Sequence, residues 1–183
     1  HDVAASLGVA ANYVLSLFNA DGKKVYICTS SGVEILNTST GTIKPVFKDA
    51  ALQNKLSDLV IYNTYLDSRK LLWIATDNGI NIYNQVSDSI VYLNKSNGLP
   101  SEQVVSLVED NKGNIWAGTR NGLACISCKY NKAGQLSFTV LSFDENDGLI
   151  NTTFNQNAVF KNTLGELYFG STKGYVKFNP QNI

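Results

Sequence analysis

One short segment of apolar and polar residues recurs four times along the 183-residue chain. Each copy reads aromatic, apolar, small, hydroxyl, two polar residues and glycine, and a second apolar/polar alternation follows it, as in 80–83 and 175–178. The pattern predicts two strands joined by a tight turn, because glycine readily adopts the positive φ that a hairpin often requires. The four copies are 26–32, 73–79, 116–122 and 168–174.

Two further alternating runs flank most of these hairpins. Each unit is therefore predicted to form four short antiparallel strands, A to D. The repeated segment forms strand B and the turn between strands B and C. The fourth unit stops after strand C, so the last unit is expected to lack its outer strand. The runs before the hairpins are 14–18, 59–62, 104–108 and 157–160, and those after them are 43–47, 89–93 and 136–143.

The glycines of successive copies lie 47, 43 and 52 residues apart. Four-stranded antiparallel units at this spacing are typical of β-propeller blades, which stack around an axis to bury both faces of each sheet. The sequence thus predicts an all-β fold, a single partial β-propeller over residues 1–183. The predicted blades are about 9–52, 53–97, 98–147 and 148–183.

An aromatic residue begins the repeated segment in every copy. Large aromatic side chains dominate buried surface in proteins, so we expect all four to pack between blades, rather than to serve as a platform for a ligand. The four residues are Tyr26, Trp73, Trp116 and Tyr168.

Charge and length exclude several classes of function. Fifteen basic and fifteen acidic residues leave no net charge, and Lys and Arg never exceed two in a row, which argues against nucleic acid as a partner. No apolar run approaches the roughly 18 to 20 residues of a membrane-spanning helix. The chain starts at His1 and contains no Met, so we expect a piece of a longer or processed polypeptide.

The sequence offers little material for metal binding or catalysis. Cys125 and Cys128 form a C-x-x-C pair, but a zinc site needs about four ligands and Cys28 is far away, so free buried or half-buried thiols are expected. A nucleophile with a partner base is not evident, since the only His is His1. We therefore expect no metal, no cofactor and no enzymatic activity in this chain.

Two segments, 73–83 and 104–123, resemble the repeat of the two-component regulator propeller family. The last unit is similar to the blade that closes the second propeller of such proteins, and the resemblance covers residues 7–180. The first copy departs from it at Tyr26 and Cys28. The resemblance implies the periplasmic sensor of a hybrid two-component histidine kinase, which detects a small ligand, usually a glycan fragment, and signals across the inner membrane to regulate transcription.

In a propeller whose strand A lines the channel, the B-to-C turns and the D-to-A linkers share one rim. Their amides, carboxylate and arginine suit sugar hydroxyls or a uronate. Turns must also be polar simply to be solvated, so a purely structural origin stays open. The candidate ligand residues on this rim are Asp77, Asn78, Gln103, Arg120, Asn121 and Lys173.

Two other functions remain open at this stage. The blades could form a structural or protein-interaction propeller, a spacer or dimerisation wall without its own ligand, or less readily a propeller lyase or hydrolase. An open arc of four blades exposes two blade faces, so self-association is expected. A two-fold pair, blade one of each chain meeting blade four of the other, would make an eight-bladed ring.

Overall fold

The structure, a computed structural model, describes residues 13–47, 50–53, 55–132 and 135–183. Residues 9–12 of the first predicted blade lie outside the described residues, as do residues 7–12 of the segment that resembles the family. The described residues form fifteen strands, one four-residue helix and three short 3-10 turns. The strands are β1 Val14–Asn19, β2 Lys24–Thr29, β3 Gly32–Asn37, β4 Ile43–Pro45, β5 Ile61–Leu66, β6 Leu71–Thr76, β7 Gly79–Asn84, β8 Ser89–Leu93, β9 Val104–Glu109, β10 Ile115–Thr119, β11 Gly122–Tyr130, β12 Leu136–Phe143, β13 Phe154–Lys161, β14 Leu167–Ser171 and β15 Gly174–Phe178; the helix is α1 Ala50–Gln53.

The strands form four antiparallel sheets, each built from strands consecutive in the chain. The first three sheets are four-stranded, in the orders β1-β2-β3-β4, β5-β6-β7-β8 and β9-β10-β11-β12. The fourth contains only β13-β14-β15 among the described residues. The predicted all-β propeller is confirmed, and the last blade has three strands among the described residues.

Three apolar cores lie between successive blades and hold the arc together. Each core contains the aromatic residue that begins strand B of one blade, which explains why the repeat has an aromatic residue at that position. The core between blades 1 and 2 includes Tyr26, Cys28, Ile74 and Tyr83; that between blades 2 and 3 includes Trp73, Ile82, Leu107 and Ile126; that between blades 3 and 4 includes Trp116, Leu123, Phe154 and Phe169.

One of the four aromatic predictions is wrong. Tyr26, Trp73 and Trp116 are buried as expected, but Tyr168 is only half-buried. Its side chain points to the face of β14 opposite Phe169, away from blade 3, and no described blade packs on that face. The repeat pattern alone could not distinguish a blade with two neighbours from a blade with one.

Strand A of the second blade begins later than the sequence predicted. The alternation suggested 59–62, whereas β5 spans Ile61–Leu66. The carboxylate of Asp58 accepts a hydrogen bond from the amide of Val60 at 2.7 Å, which turns the chain before the strand can start. In this case an aspartate turn overrides the apolar pattern.

A buried carboxylate joins each A-to-B turn of blades 2 and 3 to the tryptophan of strand B. Asp67 accepts from the indole of Trp73 at 2.9 Å and from the amide of Leu71 at 2.9 Å. Asp110 accepts from the indole of Trp116 at 3.0 Å in the same way. The carboxylate therefore satisfies a donor that would otherwise be buried without a partner.

The two cysteines of the C-x-x-C pair lie on opposite faces of β11. Cys125 packs with the core between blades 3 and 4, and Cys128 with the core between blades 2 and 3, because a spacing of three reverses the side chain in a strand. Burial raises the pKa of Cys125 to about 11. The expected free thiols are confirmed for Cys28, Cys125 and Cys128.

Trp73→Ala should lower the free energy of unfolding by about 3 to 5 kcal/mol, the range for truncating a large buried aromatic. Tyr168→Ala should cost clearly less, because that ring is only half-buried and packs against no neighbouring described blade. Urea unfolding of both variants measures the difference. Equal losses would contradict the assignment of Trp73 to a seam between two blades.

The carboxylate of Asp110 should make stability depend on pH. Burial alone would raise its pKa, but hydrogen bonds from the Trp116 indole, from Asn114 and from the Lys112 amide outweigh burial and lower the pKa below 3.8. The stabilisation is therefore complete at pH values well above the ordinary aspartate pKa, and it is lost as the pH falls through the lower folded pKa.

We expect Asp110→Asn to be less stable at neutral pH and to lose less stability than the parent chain on acidification from about pH 5 to about pH 2. Urea unfolding at a series of pH values measures this slope. Glu145→Gln, which removes an exposed carboxylate, is the matched control. Parallel pH profiles for the parent and Asp110→Asn would exclude the proposed role.

Candidate functional site

Backbone hydrogen bonds join the B-to-C turns to the D-to-A linkers on one rim. The amide of Gly79 donates to the carbonyl of Glu102 at 2.7 Å, and the amide of Arg120 donates to that of Gln103 at 3.1 Å. The linker between blades 2 and 3 is thus bonded to a turn of each blade. The predicted grouping of turns and linkers on a shared rim is confirmed.

A hydroxyl holds each B-to-C turn of this rim in shape. Thr76 donates through Oγ1 to the carbonyl of Gly79 at 2.9 Å and accepts from the amide of Asn78 at 3.1 Å. Thr119 makes the equivalent pair of bonds with Gly122 and Asn121. The hydroxyl position of the repeat is therefore required by the turn, which leaves the two polar residues beside it for other contacts.

A polar cluster, which we call the rim cluster, comprises Tyr62, Asp77, Gln103 and Arg120. Oδ1 of Asp77 accepts from the hydroxyl of Tyr62 and from Nε2 of Gln103, each at 2.8 Å. The guanidinium of Arg120 donates through Nη1 to the carbonyl of Phe154 at 3.1 Å. The cluster joins elements of blades 2 and 3, and the Arg120 bond reaches the first residue of β13 in blade 4.

Charges around the cluster act on the Tyr62 phenol. Burial raises the pKa of Tyr62 first, and the hydrogen bond to Asp77, the charge of Asp77 and that of Asp58 raise it further, while the positive charge of Arg120 opposes them. Tyr62 is thus a neutral hydrogen-bond donor. The cluster combines a carboxylate, an amide, a phenol and a guanidinium, groups that recognise hydroxyls and carboxylates.

A second set of polar contacts follows the strand A elements. The side chain of Asn63, which is buried, accepts from the amide of Leu107 at 3.1 Å and donates through Nδ2 to Oδ1 of Asn157 at 2.6 Å. Gln156 donates to the carbonyl of Leu15 at 3.5 Å. These bonds link the strand A elements of all four blades.

Lys173 lies elsewhere on the rim, in the turn of blade 4. With Asn151, Ile150 and Tyr175 it lines a cavity of about 350 Å³. Asn151 donates to the hydroxyl of Ser171 at 2.8 Å. Gly148, Leu149 and Val176 also line it, so the cavity lies between β15 and the linker that joins blades 3 and 4.

The six predicted ligand residues therefore separate into two groups. Asp77 and Gln103 are in direct contact, and Arg120 joins them through the carbonyl of Gln103. Asn78 turns instead to the carbonyl of Ser57 at 3.2 Å. The exposed Asn121 and Lys173 stay outside the rim cluster.

Sequence reasoning missed Tyr62, the residue that completes the cluster. The alternation placed it within strand A as an ordinary apolar position, whereas its hydroxyl reaches the B-to-C turn of its own blade. The informative signal was the tyrosine among aliphatic neighbours in 59–62, since a half-buried tyrosine carries a polar group that usually finds a partner.

Two negative findings concern the described residues alone. No three or more His, Cys, Asp or Glu side chains among them are grouped so as to bind a metal ion. Their helical segments also include none with the length and apolar character needed to cross a membrane.

Comparisons with known proteins agree with the repeat. The sequence model of the family "two component regulator propeller" matches residues 98–121, so the resemblance stated from the repeat is confirmed. A protein named Histidine kinase P4, from Formosa agariphila, is 29% identical over 177 residues. The match covers 94% of this chain but only 12% of that protein.

Two solved structures share the fold. Both are extracellular domains of proteins described as hybrid two component systems from B. thetaiotaomicron. One has a TM-score of 0.68 at 20% identity and covers 93% of this chain and 24% of its own. The other has a TM-score of 0.57 at 22% identity and covers 92% and 28%. At these identities the likeness shows the propeller fold.

Proposed function

We propose that this chain, which carries the two component regulator propeller repeat, is part of the periplasmic ligand sensor of a hybrid two-component histidine kinase. The rim cluster contacts a glycan fragment, and the parent protein passes the binding event to a kinase that regulates transcription. The histidine kinase of Formosa agariphila supports the kinase context. The extracellular domains of the two bacterial structures support a location outside the inner membrane.

The rim cluster is the observation that carries the ligand proposal. Among the described residues, Asp77 uses Oδ1 for both of its hydrogen bonds, which leaves Oδ2 as an acceptor for a sugar hydroxyl. Arg120 uses Nη1 for one carbonyl, and a guanidinium has five N–H donors in all. The remaining donors can form the paired bonds that a uronate carboxylate accepts.

Burial distinguishes Asp77 and Arg120 of the rim cluster from ordinary solvated turn residues. Asp77 and Arg120 are half-buried, whereas Asn78, Asn121 and Lys173 are exposed. The hydrogen bonds from Tyr62 and Gln103 also hold the Asp77 carboxylate in place before a ligand binds. Less side-chain conformational entropy is then lost on binding. The cluster thus gains affinity from preorganisation that a mobile turn residue lacks.

Arg120→Ala in the full-length sensor should weaken binding of oligosaccharides that contain uronate by about tenfold or more, since a hydrogen bond to a charged group contributes about 1.5 to 3 kcal/mol. Calorimetric titration with neutral and uronate-containing oligosaccharides measures the affinity. Asn121→Ala should have a smaller effect, because its side chain lies outside the rim cluster.

Lys112→Ala is the matched control, since it removes an exposed cation from an A-to-B turn on the opposite rim. It should leave the affinity unchanged. Equal affinities for the parent, Arg120→Ala and Asp77→Asn sensors would exclude the site. Cleavage of the sugars during titration would favour the lyase or hydrolase alternative.

An interaction role is the second candidate, and the outer face of blade 4 favours it. Phe160 and Tyr175 are 63% and 71% exposed there, and each ring lies 6.2 Å from that of Tyr168. On the outer face of blade 1, Leu17 is 62% exposed. We propose that these faces meet in a two-fold pair of chains, because each presents apolar surface that a neighbouring blade would cover.

Light scattering at several concentrations tests this pairing. The parent chain should exceed its monomer mass of 20.0 kDa as concentration rises, because burial of the exposed rings drives association. Phe160→Lys should shift the equilibrium to monomer, whereas Thr172→Lys, in an exposed turn, should not. A constant monomer mass for the parent chain would exclude self-association.

A further inference from the structure

We infer that a widened β-bulge in strand A of blade 4, residues 155–157, is a second subsite beside the rim cluster and takes a neutral sugar unit linked to the uronate. The subsite rests on the proposed function, because it extends the ligand of the rim cluster from one sugar unit to at least two. The bulge stands near the start of β13, where the D-to-A linker brings the chain to the rim.

All four blades carry a bulge at the same place in strand A, but only the bulge of blade 4 is widened. One residue is inserted in each of blades 1 to 3, namely Leu15, Tyr62 and Val105. In blade 4 Ala158 lies against Gly170, so Asn155, Gln156 and Asn157 all stand in the bulge. Since one inserted residue shapes strand A in the other blades, the fold of the blade does not require the two additional residues.

The same bulge position already supplies a side chain to the rim cluster. The bulged residue of blade 2 is Tyr62, whose hydroxyl donates to Asp77. Bulges often redirect a side chain next to a functional site. The bulge of blade 4 is thus the equivalent of a position that has a polar role on this rim.

Asn157 sets the direction of the bulge. Its φ of +55° lies in the left-handed region, which asparagine adopts more readily than most residues. Its side chain leaves blade 4, and Oδ1 accepts from Nδ2 of Asn63, a buried residue of blade 2, at 2.6 Å. Asn63 in turn accepts from the amide of Leu107 at 3.1 Å. A buried partner therefore holds the bulge in place before a ligand binds.

The three carboxamides keep polar atoms that have no partner among the described residues. Asn155 donates through Nδ2 to the carbonyl of Ser171 at 2.9 Å, and Gln156 donates through Nε2 to the carbonyl of Leu15 at 3.5 Å. Their own oxygens, Oδ1 and Oε1, are free acceptors and are not buried. Asn157 bonds through its oxygen, so its Nδ2 amino group is a free donor.

This combination of free atoms suits the hydroxyls of a neutral sugar. A hydroxyl both donates and accepts, so adjacent hydroxyls can bond to the free oxygens and to the free amino group together. A second uronate would meet two carbonyl oxygens and no cation of the bulge, because residues 154–160 carry no charged side chain. The bulge therefore favours a neutral unit over a charged one.

One hydrogen bond sets the bulge beside the guanidinium that is proposed to bind the uronate. Nη1 of Arg120 donates to the carbonyl of Phe154 at 3.1 Å, and Asn155 is the next residue. The charged subsite and the neutral subsite are therefore adjacent, as two neighbouring units of one oligosaccharide require.

Calorimetric titration of the full-length sensor with sugars of two lengths tests the neutral subsite. The probes are galacturonic acid and a panel of disaccharides that join galacturonate to a neutral hexose in different linkages. The parent sensor should bind a disaccharide of the panel more tightly than galacturonic acid. Gln156→Ala should weaken that disaccharide about three- to tenfold, the effect of one neutral hydrogen bond, and leave the affinity for galacturonic acid unchanged. Arg120→Ala should weaken binding of both sugars.

Asn157→Gly is the second variant, because glycine adopts positive φ readily and removes only the carboxamide. It should also weaken the disaccharide alone. Asn111→Ala, which removes an exposed carboxamide from the opposite rim, is the matched control and should change neither affinity.

Three results would overturn the neutral subsite and leave the proposed function standing, provided that Arg120→Ala still weakens binding. They are parent affinity for the disaccharide in both Gln156→Ala and Asn157→Gly, equal losses for the two sugars in these variants, and a parent sensor that binds no disaccharide more tightly than galacturonic acid. A parent sensor that binds none of the sugars would overturn both the subsite and the proposed function.

Discussion

Each blade buries apolar side chains on both faces of its sheet, and this constraint determines the rest of the structure. β6 illustrates it, because Trp73 packs toward blade 3 and the next residue, Ile74, packs toward blade 1, with neither side chain exposed. A blade therefore buries both of its apolar faces only when it has a neighbour on each side. Blade 4 has one described neighbour, and its uncovered face carries the exposed rings of Phe160 and Tyr175.

Burying tryptophan in a seam also buries its indole N–H, and the chain satisfies that donor from the nearest turn. Asp67 and Asp110 serve this purpose, and the same carboxylates accept amides that shape the A-to-B turn. In blade 4 the tyrosine of strand B contacts Glu166 instead, and that carboxylate also pairs with Lys177 at 2.7 Å. The strand B aromatic and the turn carboxylate thus act as one structural unit. Where the aromatic is buried it is a tryptophan bonded to an aspartate, and where it is half-buried it is a tyrosine bonded to a glutamate.

The repeat predicted most of the fold because strand, turn and blade are local properties. The hydroxyl and glycine positions reflect turn geometry, and the apolar alternation reflects two buried faces. The rim cluster was only partly predictable, since the contact of Asp77 with Gln103 depends on which linker crosses which turn. Tyr62 was missed because strand A was assigned by alternation, and Tyr168 was wrongly placed because a repeat does not state how many neighbours its last copy has.

The rim and the seams are mechanically connected through the linkers. The linker between blades 2 and 3 is bonded to Gly79 on one side and to Arg120 on the other, so its backbone spans the seam that contains Trp73. A ligand that contacts both Asp77 and Arg120 therefore binds two blades at once. Such a ligand shifts the relative positions of the blades only if it prefers one arrangement over another. The cluster meets the structural requirement for that preference, because its carboxylate and its guanidinium belong to different blades.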